Sequence, residues 1–460
     1  MVWGEQKAGI FACIFRGAAS AKATVSTSMK TVWEKVLKLG RDDPRRICHA
    51  FKVGLALTIV TIFYFMRPLY EGMGGNAMWA VITVAVVFEY TVGGTLSKGL
   101  NRAFGTLVAG SLGLGVHYIA SLAGDKGEPI ILGASIFLLG IKAKYDYGVL
   151  IFMLTFSLVS VSSYREEKLF KLAQERVSTV AVGGSLCLIV SIVICPVWAG
   201  GDLHNSIVKN LQTLADSMEG CVEEYFNEEE EGDELKTKDT PGLQGYRTVL
   251  DSKAKEELLA NLARWEPAHG RFRFLHPWKQ YLKVGTATRA CAYCVEALNA
   301  ATNSEYKAPK ALRQQLKEPC LKVSSLSSMV LRQLSMDIDS MNRPSSIEPL
   351  IDSANDAVME LYTALKSLPQ AHPNFRTAHG DTVTGPALMD LLPLANVASI
   401  LIEVLGRIDA IVSSVEELSV RATFENHMPA NATAKSEHLA NVNSDYGSQG
   451  PHVVVEIKGS

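Results

Sequence analysis

Catalytic signatures are missing from this 460-residue chain. It has no HExxH, no phosphate-binding glycine loop and no Ser/His/Asp order that stands out. The chain therefore reads as a non-enzyme with no cofactor. Alternating apolar and polar runs are missing as well, so strands are not expected. Charge is nearly balanced at −2 overall, and no nucleic-acid partner is expected. Eight cysteines suggest no disulfide framework. Cys291 and Cys294 form a CxxC, but it lacks a second pair or a nearby His cluster, so packing on a helix is the better reading than metal binding. No clear internal repeat is present.

What the chain has instead is long apolar runs, near residues 50–66, 77–95, 103–122, 130–141, 147–163 and 178–199. About 20 helical residues cross the hydrocarbon of a bilayer, and five of the six runs are long enough or nearly so. The fourth, Ile130 to Ile141, is 12 residues, roughly 18 Å of helix, before Lys142 and Lys144 intervene. Basic residues cluster before the first run, between the second and third, and between the fourth and fifth. If the fourth run crosses, all three clusters share one side, which puts both the N-terminus and the C-terminal half in the cytosol. If it does not, parity flips beyond it. Within the third run, Gly105, Ala109 and Gly113 stand four apart, a spacing that lets helices approach closely.

The two halves differ in charge. Residues 1–200 hold 20 Lys+Arg against 12 Asp+Glu, a balance of +8; residues 201–460 hold 25 against 35, a balance of −10. A basic membrane half joined to an acidic soluble half suits a pore that attracts anions. Orientation bias contributes to the +8. After Pro196-Val197-Trp198 the chain turns polar and helical, with Leu203, Ile207, Leu211, Leu214 and Met218 on one face. Further helices are expected near 245–264, 277–302, 309–341, 346–367 and 385–421. The expected fold is an all-α membrane protein: a cytosolic N-terminal segment (1–48), a six-helix transmembrane domain (49–200), a cytosolic helical regulatory domain (201–424) and a disordered tail (425–460).

Several segments carry a resemblance: Asp43-Pro44-Arg45-Arg46, Lys52-Val53-Gly54-Leu55, Asn76 to Val87, Thr95 to Arg102, Tyr145-Asp146-Tyr147-Gly148 and Pro196-Val197-Trp198-Ala199-Gly200. In the soluble half Trp265-Glu266-Pro267 and Arg271-Phe272-Arg273-Phe274-Leu275-His276-Pro277-Trp278 continue it. Together these resemble the plant aluminium-activated malate transporter family of anion channels, over roughly residues 40–425. The resemblance implies a homodimer in a lipid bilayer, six spans per subunit, a pore lined by basic residues, and malate and other anions as the cargo. The motif variants look closest to root-type members at the plasma membrane, with vacuolar members similar. Family members carry a longer fourth span; here Gly140-Ile141 runs directly into Lys142.

Against that background the candidate residues divide by chemistry. Lys98 and Arg102, four apart on one helical face, and Arg165 and Arg176, at the ends of an outer loop, are the expected pore cations. Glu89, an ionisable group inside an apolar run, is expected to pair with Lys52. Aluminium activation, which the resemblance implies, needs hard oxygen ligands; Glu71, Glu166, Glu167 and Glu175 in outward loops fit. Trp265-Glu266-Pro267 is expected to end a helix, with Trp265 packed, and the resemblance suggests a gating interface there. Two other readings stay open: a coupled organic-acid carrier, and a transport-dead membrane scaffold because of the short fourth run.

Overall fold

The computed structural model describes residues 38, 41, 43–66, 78–122, 127, 130–131, 133–137, 147–163, 169–227, 244–344, 347–371 and 386–424. Among them the fold is all helix, with no β-strand and one isolated bridge recorded between His269 and Phe272. Twelve helices have described bounds, and they fall in two compact units. One holds residues 1–199 with 265–267; the other holds 200–264 and 268–460.

In the first unit the helices are α1 (Pro44–Phe65), α2 (Met78–Val87), α3 (Val92–Ser121), α4 (Tyr147–Ser163) and α5 (Leu169–Val193). Pro44 opens α1, where its missing N–H costs nothing. Ala56 and Val60 of α1, Val84 and Val87 of α2, and Cys187 and Val190 of α5 form a closed apolar cluster. The outward faces are apolar too: Phe51, Ile62, Phe104, Ile119, Leu154 and Val193 are exposed. An exposed apolar surface of that extent belongs against lipid or another protein. Windows in α1, α3 and α5 are long and apolar enough to cross a membrane, while α2 and the Gly148–Leu158 stretch of α4 are shorter apolar helices. Of the short fourth run, Ile130, Ile131 and Gly133–Phe137 are helical, and the rest lies outside the described residues.

One boundary differs from the sequence expectation. The chain leaves its helix at Phe88–Thr91 and not around Lys98–Arg102, so both basic residues sit inside one continuous 30-residue helix. The cause is local. Thr91 takes an extended backbone and its hydroxyl accepts from the Gly94 N–H at 3.1 Å, an N-cap that starts α3. The Thr95 hydroxyl accepts from the Glu89 N–H at 3.1 Å. Lys98 and Arg102, being good helix formers, do not end a helix merely by being charged.

The second unit contains α6 (Ala199–Asn227) from Gly200 onward, its first residue Ala199 belonging to the first unit, with α7 (Gly245–Leu250), α8 (Lys253–Ala263), α9 (Trp278–Thr302), α10 (Lys310–Ser340), α11 (Glu348–Ala371) and α12 (Pro386–Arg421). Leu203, Ile207, Leu211, Leu214 and Met218 of α6 are fully buried. A stretch of α12, Asp390–Arg421, is also long and apolar enough to cross a membrane. Its apolarity has another use. Leu394, Val397, Leu401, Val404, Ile408, Ile411, Val415 and Leu418 recur every three or four residues, and all are fully buried. That is a coiled-coil-type seam, and it packs against α9 and α10.

Candidate functional site in the membrane unit

Arg102 and Arg176 are the two expected pore cations that the fold brings together. Both are buried, at 4% and 6% exposure, inside a largely apolar unit, and they are close enough for their charges to repel. Among the described residues no carboxylate pairs with either. Arg176 lays its guanidinium on Trp79 of α2, with the central carbon 3.3 Å from a ring centroid, a cation–π contact strengthened by exclusion of water. The Nε of Arg102 is buried with no hydrogen-bond partner among the described residues.

Beside Arg176 lies a cavity of about 260 Å³ between α3, α4 and α5. Arg176, Thr106, Ser111, Thr155, Gln174 and Ser178 give it a polar wall, with Leu107, Leu114 and Val177 completing it. Thr106 stands one turn beyond Arg102 on α3, and both it and Thr155 are buried. The volume is a little below the ~300–1,000 Å³ usual for small-molecule sites, which fits a small solute. A guanidinium with neighbouring hydroxyl and amide donors is a set that can replace water around a carboxylate.

The remaining expected residues fall elsewhere. Lys98 pairs with Glu89, and both side chains are about a third exposed, at 39% and 35%. The expected Glu89–Lys52 pair is therefore corrected. Lys52 is fully buried and donates instead to the Cys195 carbonyl at 2.8 Å. The reason is the early start of α3, which returns the chain so that Lys98 reaches Glu89 across the Phe88–Thr91 break. Arg165, Glu71, Glu166 and Glu167 lie outside the described residues; Glu175, the remaining expected aluminium ligand, is half-buried on α5.

Trp265-Glu266-Pro267 does follow the end of α8, but its residues trade the expected roles. Trp265 is 43% exposed, whereas Glu266 is buried. A carboxylate oxygen of Glu266 accepts from the Ala199 N–H at 2.6 Å, at the first residue of α6. An acidic group there satisfies a free N–H and meets the positive end of the helix dipole. Two contributors had no role assigned from sequence, Trp79 and the Thr106–Thr155 wall. Trp79 had a signal, as an aromatic residue at the start of an apolar run. The threonines had none, because the residues separating them in sequence say nothing of α3 meeting α4.

Comparison with known proteins gives an independent line. The family model described as aluminium activated malate transporter matches residues 37–377. Aluminum-activated malate transporter 10 of Arabidopsis thaliana is 44% identical over 438 residues, covering 86% of this chain and 88% of its own length. Aluminum-activated malate transporter 1 of Triticum aestivum is 42% identical over 412 residues, covering 85% and 86%. Aluminum-activated malate transporter 2 of Arabidopsis thaliana is 44% identical over 403 residues, covering 85% and 77%. With apolar spans, buried arginines and similarity along most of its length, this multi-pass membrane protein belongs to the aluminium-activated malate transporter family.

Proposed function

We propose that the chain is an anion channel through which malate and inorganic anions leave the cytosol of a plant cell, at the plasma membrane. The observation that supports this best is that Arg102 and Arg176 are both buried, with no carboxylate partner among the described residues, and that Arg176 lines a cavity walled by hydroxyls. Charge inside a bilayer is costly and is kept where it serves a path for solutes. Malate at neutral pH is a dianion, and the Arg176 guanidinium at the cavity wall, with the charge of Arg102 nearby, offsets its desolvation. The relatives' names support malate as cargo. The proposal includes a homodimer and activation by external aluminium through Glu71, Glu166, Glu167 and Glu175.

The test is voltage clamp of malate-loaded oocytes expressing the chain, R102Q, R176Q and K98Q, with surface expression quantified. Removing a charge-assisted contact worth ~1.5–3 kcal/mol predicts malate currents lower by about tenfold or more for R102Q and R176Q. K98Q, which removes a half-exposed ion pair, is expected to change them less than about fivefold. Unchanged currents and reversal potentials in both arginine variants would sink the reading. The break between α2 and α3 is the observation that favours a coupled carrier, since interrupted helices line carrier sites. A reversal potential that follows the proton gradient, not the anion gradient, would decide for that alternative.

A further inference from the structure

Cys48, Lys52 and Cys195 meet at one point of the membrane unit, outside the arginine site. Cys48 and Lys52 are four residues apart on α1 and so share a face of the helix. The Lys52 ammonium donates to the Cys195 carbonyl at 2.8 Å, which fixes the segment after α5 against that same face. Lys52 thus stands between the two cysteines, sharing a helix face with Cys48 and bonded to the backbone of Cys195, and its charge acts on both. Neither cysteine is in a disulfide; Cys195 is exposed and Cys48 half-buried. Cys195 also holds a left-handed backbone, φ 41°, unusual for a residue with a side chain.

We propose that Cys48 and Cys195 are a reversible dithiol–disulfide site that responds to a peroxide. Structural cysteines are normally buried and inert, whereas redox-responsive ones are accessible and stand beside a resolving thiol. Cys195 meets the first condition and Cys48 supplies the second. The exposed Cys195 thiolate attacks one peroxide oxygen, giving a sulfenic acid, and the other oxygen leaves as water after protonation. The Cys48 thiolate then attacks the sulfenic sulfur, the S–S bond forms, and the sulfenic oxygen departs as a second water. Two electrons pass from the thiols to the peroxide, and a dithiol reductant reverses the reaction. A cytosolic environment keeps such thiols reduced at rest, so the bond would form under oxidation and not as a permanent staple.

The test uses the full chain in membranes, treated with hydrogen peroxide or left reduced, then alkylated, digested and read by mass spectrometry. The expected result is a Cys48–Cys195 linked peptide in the oxidised sample, its disappearance after dithiothreitol, and its absence in both C48S and C195S. Gel-shift labelling with a large maleimide should show two fewer adducts after oxidation of the chain, and no such loss of a pair in either serine variant. Linkage of either cysteine to some other thiol, or both remaining alkylatable after peroxide, overturns the proposal. Because the decisive reading is made on the unsubstituted chain, a variant that fails to fold does not rescue it.

Discussion

Single residues in the second unit carry large energetic consequences. Glu256 is fully buried, accepts from Asn210 at 2.9 Å and pairs with Arg289, which is itself 11% exposed. Gly285 leaves room for it, since a side chain there would collide with the carboxylate. Removing one partner of such a pair strands the other charge. Glu256→Ala is therefore expected to cost about 3–5 kcal/mol, read as a drop of roughly 10 °C in the thermal midpoint of the purified full chain. His204 and His276 give a pH dependence. Their rings share the Tyr281 hydroxyl at 3.1 and 3.4 Å, and since that hydroxyl carries one proton, it donates to one imidazole and accepts from the other. Burial lowers both histidines to about 4, helped by Arg271 for His204 and by His204 for His276. Unfolded histidine titrates near 6.5. Between about 6.5 and 4 the unfolded chain thus binds more protons, so stability is full above that window and falls as pH drops through it. The loss should be on the order of 2 kcal/mol per imidazole. Thermal midpoints at pH 7 and pH 5 should diverge in the chain and converge when both histidines are replaced by glutamine.

At the scale of elements, close helix approach sets the membrane unit. A Cβ on Gly183 of α5 would stand 2.9 Å from the Thr83 Cβ and 3.0 Å from the Ala80 carbonyl of α2, whereas Gly184 meets nothing within 4 Å. Gly183→Leu must push α2 away, and Trp79 with it. It is expected to lower surface expression or malate current severalfold, while Gly184→Leu leaves both near the level of the unsubstituted chain; equal effects would count against the packing account. Gly105 does the same between α3 and α4, its added Cβ falling 3.3 Å from the Gly148 carbonyl, as its small-residue spacing suggests. Much of this was legible in the sequence. Helices α9 to α12 follow their periodicity closely, and the core face of α6 is readable residue by residue. The start of α3 was not, because the charges at Lys98 and Arg102 divide two apolar runs while the true stop is a threonine cap that only backbone geometry reveals. Arg102 and Arg176 could be nominated from sequence, but their meeting depends on how α3 packs on α5. Lys52 pairs with a carbonyl, an acceptor that every residue owns and no sequence pattern marks.

For the whole molecule, charge sets orientation. Residues 1–49 hold nine Lys+Arg, and the second unit is acidic. Cytosolic retention of basic flanks predicts that the amino-terminal segment lies inside the cell. Epitope tags at the amino terminus and in the exposed turn around Glu305 are expected on the same, cytosolic side if the short fourth run crosses. Antibody access in intact and permeabilised cells reads this directly, and tags on opposite sides would mean that the run fails to cross. Either result also fixes which face of the bilayer Glu175 and the cavity beside Arg176 approach.

The break at Phe88–Thr91 has a mechanical meaning. Where the helix stops, Val92 donates its N–H to the Val197 carbonyl at 3.0 Å, so the first peptide of α3 is latched to the strap between α5 and α6. Lys52 latches the same strap two residues earlier, at Cys195. A tug on the strap is therefore passed to the foot of α3 and to α1 together, and cannot be absorbed by slack chain in between. Because α3 runs unbroken from that foot past Arg102, it acts as a rigid crank: a small rotation at Val92 swings the Arg102 side chain three turns further along.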